Sequence, residues 1–178
     1  MNKVNLEKTV EKLVDTFLYA GKISLELRKK GLIKEIKSDN TPVSNGDLEV
    51  NNIITKKIFE LTPDIPIVSE ETSDNKSVNN LKDFWLIDPI DGTYDYINNL
   101  DEFTINAGLI LDNKPELGLI YAPAKKRMFF SYGKDLAFEL INTKLVKLEG
   151  NKKLDKSIIQ FVAYNKKLKP KIEYIHNT

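Results

Sequence analysis

The chain contains no cysteine, which excludes disulfides, thiolate catalysis and cysteine-ligated zinc, and fits a reducing cytoplasm. It has one histidine, His176, close to the C-terminal end and expected to be solvated, so neither an imidazole base nor a histidine zinc site is anticipated. Apolar runs are short: none approaches the roughly 18 residues of a membrane span, and the N-terminus lacks the apolar core of a signal peptide. The expected location is therefore cytoplasmic, with peripheral association to an inner membrane left open. Charge lacks a dominant sign. With 27 basic and 26 acidic side chains there is no global field to gather a nucleic acid polymer, whereas a small anionic ligand needs only a local positive site. No internal repeat or low-complexity domain is present.

What is there suits one ordinary soluble domain of 178 residues, 41% of them hydrophobic. Val10, Leu13, Val14, Phe17 and Leu18 recur at helical spacing and predict a helix from about Asn5 to Lys30, stopped by Gly31. An extended piece over Lys34 to Lys37 leads into a polar loop. A second helix is expected from about Asp47 to Leu61, burying Val50, Ile53, Ile54 and Ile58 and ended by Thr62-Pro63. After a short strand at Ile65 to Val68 and a polar loop from Thr72 to Asn80, Phe84 to Ile87 read as a fully buried strand. Phe103 to Leu111, Glu116 to Tyr121, Arg127 to Tyr132 and Leu136 to Ile141 are strand candidates joined by short turns, hence an antiparallel meander. The fold class expected is α+β: a layered sandwich in which two N-terminal helices pack on a mostly antiparallel sheet. The charged stretch Lys144 to Lys156 reads as a boundary, giving a first domain over 1–156 and, from Ile158-Ile159-Gln160-Phe161-Val162-Ala163-Tyr164, the start of a second over 157–178.

Three stretches carry chemistry. Trp85-Leu86-Ile87-Asp88-Pro89-Ile90-Asp91-Gly92-Thr93 is an apolar strand running into two carboxylates, with Pro89 expected to end the ladder and bend the chain. Asp88 and Asp91 can then converge on one point, with the Ile90 carbonyl between them. Gly92-Thr93 would open a short helix over Tyr94 to Asn98 and leave free N–H groups beside the acids. Such a run alone is ordinarily a solvated turn or a helix cap. Ile65-Pro66-Ile67-Val68-Ser69-Glu70-Glu71 repeats the design, and the polar loop Lys37-Ser38-Asp39-Asn40-Thr41-Pro42-Val43-Ser44-Asn45-Gly46-Asp47 delivers Asp47 to a helix start, with Ser44 or Asp47 as cap. Oxygen donors for a hard cation beside N–H groups for an anion describe a metal-assisted phosphate site.

In this order the three stretches resemble the inositol monophosphatase superfamily of Mg2+-dependent phosphatases. Glu102-Phe103-Thr104-Ile105-Asn106 and Gly118-Leu119-Ile120-Tyr121-Ala122-Pro123 draw the likeness toward its bacterial 3'(2'),5'-bisphosphate nucleotidases. The resemblance implies that Glu70, Asp88 and the Ile90 carbonyl hold a first Mg2+, that Asp91 joins Asp88 toward a second, and that Glu71 acts through water. It implies Asp47 and Thr93 as the water-activating pair, and places Glu70, Asp91 and the Gly92 and Thr93 amides against the substrate. That substrate would be adenosine 3',5'-bisphosphate, with an inositol phosphate as the alternative. One departure is local: where the family usually has Lys-Glu-Phe after Gly-Thr, this chain has Tyr94-Asp95-Tyr96. A second departure is larger, because the family's C-terminal subdomain, with a Trp-Asp motif completing the second metal site, has no counterpart after Ser157. The expectations are a weakened second metal site, low or no turnover by this chain alone, apolar surface open to a homodimer, and, as a different class of reading, a non-catalytic remnant.

Overall fold

The α1 helix, Leu6–Lys30, and the α2 helix, Asn45–Leu61, lie against one face of a seven-stranded sheet. The computed structural model describes residues 4–38, 41–71, 81–141 and 143–149, and the described elements fall within one unit, Met1–Leu148. The polar loop expected from Thr72 to Asn80, the boundary expected at 156/157, the strand expected from Ile158 and His176 lie outside the described residues. Between the helices, β1 (Lys34–Ile36) and β2 (Pro42–Ser44) form a small antiparallel ribbon where an extended piece and a loop were expected. The large sheet runs in chain order: β3 (Ile67–Ser69), β4 (Phe84–Asp91), β5 (Thr104–Leu111), β6 (Lys114–Ala122), β7 (Arg127–Tyr132), β8 (Ala137–Ile141) and β9 (Lys144–Lys147). Every pairing is antiparallel except β3 with β4. The α+β sandwich expected from the sequence is the fold.

The helices follow from their apolar stripes. On α1, Val10, Leu13, Phe17, Ala20 and Ser24 recur at three or four residues and are buried; on α2, Val50, Ile54 and Ile58 do the same. Asn5 caps α1 by accepting from the Lys8 amide, and Gly31, at φ 102°, ends it. From the sheet, Trp85, Ile87 and Ile90, then Ile105 and Leu109, Leu117 and Leu119, and Met128 meet those stripes. The Trp85 indole N–H finds its partner in Thr62 Oγ1, 3.0 Å away.

Two expectations are corrected. Phe84 to Ile87 are not buried on both faces: Leu86 is 52% exposed, because the helices cover only the face of Trp85 and Ile87 and neighbours along a strand alternate. Pro89 does not end the ladder. Asp88 opposes Asn106 and Asp91 opposes Thr104, so three steps on β4 match two on β5, and the extra residue is a bulge around the proline. Lys144–Lys147, the head of the stretch read as a boundary, is a strand that pairs with β8, its charged side chains tolerate the sheet edge, and the unit that holds the described elements ends directly after it, at Leu148.

Candidate active site

The parallel pairing of β3 and β4 is what gathers the acids. Two parallel strands end at the same place, so Ser69 beside Ile87 puts Glu70 and Glu71 next to Asp88, and the Glu70 amide donates to the Ile87 carbonyl at 3.2 Å. The bulge does the rest. In a regular strand residues three apart point to opposite faces, and one inserted residue lets Asp88 and Asp91 turn to a common side. Gly92 then takes φ 93°, and a Cβ there would stand 2.7 Å from the Glu102 carbonyl oxygen, so conformation and space both require glycine. The α3 helix, Thr93–Ile97, starts directly after it with no side chain capping its first turn.

Asp47 reaches this point from the other side of the fold. It is buried at the third position of α2 and divides its two oxygens between two tasks. Oδ2 accepts from the Ser44 amide at 2.9 Å and the Ser44 hydroxyl at 2.6 Å, closing a capping box in which Ser44 Oγ accepts from the Gly46 amide. Oδ1 accepts from the Thr93 hydroxyl at 3.1 Å. Ser44 is the cap, Asp47 completes it, and the second carboxylate oxygen remains for Thr93. The Thr93 hydroxyl also lies 3.0 Å from the Ile90 carbonyl, so its one proton is held between two acceptors and its lone pairs are left for another donor.

The electrostatics show the acids crowding one another. Burial, then the charges of Glu70 and Asp91, raise the Asp88 carboxyl from 3.8 to about 7, with a hydrogen bond to Glu70 and the Asp47 charge adding to the effect. Asp88 Oδ1 is buried without a hydrogen-bond partner among the described residues. A buried carboxylate oxygen with no donor, among other acids, fits a cation better than any protein partner it has. The donor set, three carboxylates and the Ile90 carbonyl, is all oxygen and suits a hard divalent cation such as Mg2+. Among the described residues no three acidic side chains already stand as a closed cage, and the Glu70 side chain, half exposed, has the freedom to close one.

Three contributors escaped the sequence reading. Lys37, read only as the head of the polar loop, places its ammonium 2.8 Å from Glu71 and 3.8 Å from Glu70. Burial pulls the Lys37 ammonium down, but the hydrogen bond and charge of Glu71, with Glu70 and Asp47 behind, outweigh it and hold it above its ordinary value. The Glu71 carboxyl, at 5% exposure the more deeply buried partner, stays above its ordinary range because burial exceeds what Lys37 returns. Lys37→Ala is expected to destabilise the fold by about 2 kcal/mol at pH 8, as the Glu71 charge loses its partner, with less effect at pH 4 where Glu71 protonates. Urea unfolding of Lys37→Ala and Lys37→Ala/Glu71→Gln checks it: the double variant recovers most of the loss. Asn106, opposite Asp88, donates from Nδ2 to Asp91 Oδ2 at 3.2 Å, while its Oδ1, like that of Asp88, is buried with no partner among the described residues. The signal was an amide interrupting the apolar run Ile105 to Leu111. Tyr96 is the third. It is a fully buried phenol whose hydroxyl donates to the Ser24 carbonyl of α1 at 2.7 Å, and only the departure from the family pattern marked it.

Known proteins resemble this chain in sequence and in fold. The chain is 38% identical over 114 residues to the 3'(2'),5'-bisphosphate nucleotidase CysQ of Haemophilus influenzae, covering 63% of this chain and 42% of that protein. It is 40% identical over 119 residues to CysQ of Buchnera aphidicola, covering 65% and 45%. The matched stretch thus spans less than half the length of these relatives. Among solved structures, an IMPase/NADP phosphatase complexed with NADP and Ca2+ superposes with a TM-score of 0.72 at 20% identity over 86% of this chain and 57% of that one. CysQ from Bacteroides thetaiotaomicron gives 0.61 at 22% identity over 97% and 68%. Likeness at that identity speaks for the fold alone. The model of the inositol monophosphatase family matches residues 5–175, taking in all three acidic stretches and nearly everything between and beyond them, and the chain is a member of that family.

Proposed function

We propose that this chain carries the water-activating and metal-holding half of a phosphomonoesterase that removes the 3'-phosphate of adenosine 3',5'-bisphosphate. The observation that carries the reading is the Thr93 hydroxyl held by Asp47 Oδ1, on the same side of the sheet end as a buried Asp88 oxygen that has no donor. Support for a nucleotide bisphosphate substrate comes from the CysQ relatives, which are named 3'(2'),5'-bisphosphate nucleotidases. A phosphate monoester resists hydrolysis because water is a poor nucleophile and the leaving alkoxide is unstable. Glu70, Asp88, Asp91 and the Ile90 carbonyl would hold Mg2+, which when bound supplies Lewis-acid polarisation of the phosphoryl oxygens and neutralises developing charge.

The chain's own groups handle the proton and the orientation. Thr93 Oγ1 donates to Asp47, so the lone pair that faces the open side can accept a hydrogen bond from an attacking water and aim its oxygen at phosphorus. Asp47 is the final proton acceptor of that relay, and the Ser44 contacts on its other oxygen fix the carboxylate plane. Asn106 holds Asp91. The amides of Gly92 and Thr93 would donate to phosphate oxygens. Glu71, tied to Lys37, keeps β3 in place and would act on the metal shell only through water. An inositol phosphate is the alternative substrate, since these groups address the phosphate rather than the alcohol.

The test is phosphate release from adenosine 3',5'-bisphosphate and from inositol 1-phosphate with millimolar Mg2+, by the chain and by Asp91→Asn. Release from the nucleotide that is lost in the variant supports the reading. Release that survives Asp91→Asn overturns the site assignment, and preference for the inositol ester overturns the substrate. A chain without turnover that still binds Mg2+ in an Asp91-dependent way, followed by the unfolding midpoint, would place the missing activity in the part of the relatives that this chain does not match.

A further inference from the structure

Gly46 stands in the first turn of α2, one residue before Asp47, at a helical position where alanine is ordinarily the better residue. Here the room is already taken. A Cβ on Gly46 would overlap the hydroxyl oxygen of Tyr96 and lie 2.6 Å from its Cε1 and 2.8 Å from its Cζ. Tyr96 cannot readily retreat: it is fully buried, its hydroxyl donates to the Ser24 carbonyl at 2.7 Å, and its ring packs on Phe103 with centroids 4.9 Å apart. Arg28 braces the same corner by donating to the Leu100 carbonyl at 2.6 Å and to Asp101 at 3.0 Å. Tyr96 belongs to α3, the helix that begins with Thr93, and Gly46 to the turn that holds Asp47. One phenol therefore fixes α3 to α1 and sets how closely the first turn of α2 can approach it.

We infer that Gly46 and Tyr96 form a coupled steric seat that sets the separation of Asp47 and Thr93, with Tyr96 a positioning residue for that pair. The pair's functional meaning rests on the reading above, while the seat itself is a property of the fold. It falls in the stretch Tyr94-Asp95-Tyr96 where the sequence departs from the pattern it resembles, and it accounts for a glycine that the helix itself would not choose.

The experiment is a double-mutant cycle on the full chain, with thermal unfolding and NMR of the Asp47 carboxyl carbon and the Thr93 amide as readouts. Gly46→Ala is expected to lower the midpoint by about 5 °C and to displace both resonances, against its usual helix-stabilising sign. Tyr96→Phe alone loses the bond to Ser24 and lowers the midpoint by about 3 °C. In Gly46→Ala/Tyr96→Phe the overlap with the hydroxyl oxygen and the tie to Ser24 are gone while the contacts to Cε1 and Cζ remain, so the penalty of alanine is expected to be clearly smaller than with the native phenol though not zero, with both resonances moving part of the way back toward their original positions. An equal penalty for alanine whether position 96 carries the native phenol or the bare phenyl ring, including failure of both alanine variants to fold, overturns the coupling. A coupled midpoint with unmoved Asp47 and Thr93 resonances reduces the contact to packing and overturns the positioning role. Neither readout uses a substrate, so failure of the proposed activity would leave these outcomes unchanged.

Discussion

In a form of the protein that releases phosphate, Asp47→Asn is expected to lower kcat by about 10²- to 10⁴-fold with little change in KM. An amide at position 47 can still accept through one oxygen, and the Ser44 amide and hydroxyl would claim it, because they already hold Oδ2 in a buried cap. What remains toward Thr93 is then an NH2 donor, and the Thr93 hydroxyl would turn to the Ile90 carbonyl, 3.0 Å away. The relay loses its acceptor while the helix keeps most of its cap, so unfolding free energy should fall by less than about 1 kcal/mol. Thr93→Val should cost as much as Asp47→Asn, Thr93→Ser should stay within about tenfold of the original, and the double variant should be no worse than either single one, since the two groups act as a unit. A steady-state rate for Asp47→Asn within about threefold of the parent would end the assignment of this pair. Equal and additive losses from the two single variants would argue that they act separately.

How much of this could be read from the chain divides along a physical line. Periodicity reports which face of an element is covered, so α1 and α2 and most of the meander were legible from residues such as Leu13, Phe17 and Ile54. The acids were legible because strands ending in carboxylates are unusual, and Asp47 because a helix start has its own chemistry. Pro89 was misread for a definite reason: a missing N–H excludes a regular ladder position but not a bulge, and the register that makes the bulge depends on β5, where the partners of Asp88 and Asp91 lie 18 and 13 residues further along the chain. Leu86 was misplaced since an apolar side chain in a strand does not tell which of two faces is covered. Lys37, Asn106 and Tyr96 were out of reach by the same logic. Each acts through a partner distant in sequence: Glu71 is 34 residues from Lys37, and Ser24 is 72 from Tyr96.

The crowding of acids that suits the site for a cation should also make the metal-free protein sensitive to pH. Asp88 titrates at about 7 in the fold against 3.8 when solvated, so its proton stabilises the folded state fully below about pH 4, and that contribution is lost as pH rises through 7. Three units would correspond to about 4 kcal/mol, but the group is only partly buried, and solvent screening brings the expected loss to about 2 kcal/mol. Asp88→Asn removes the charge and presents an NH2 near Asn106, directly across the ladder, whose Oδ1 has no donor. In chelator, the variant is therefore expected to exceed the parent by about 2 kcal/mol at pH 8 and to match it near pH 4. Millimolar Mg2+ should invert the order at pH 8. A cation at about ten times its Kd would stabilise the parent by about 1.4 kcal/mol, more where it also neutralises Asp88, while the variant gains little. Urea unfolding at the two pH values, with and without Mg2+, reads all of these differences. A parent whose stability in chelator is flat from pH 4 to 8, or a variant that gains as much from Mg2+ as the parent, would remove Asp88 from the centre of the site. The stability lost at Asp88 without metal is in this account the same quantity that favours metal binding, so the two halves of the prediction stand or fall together.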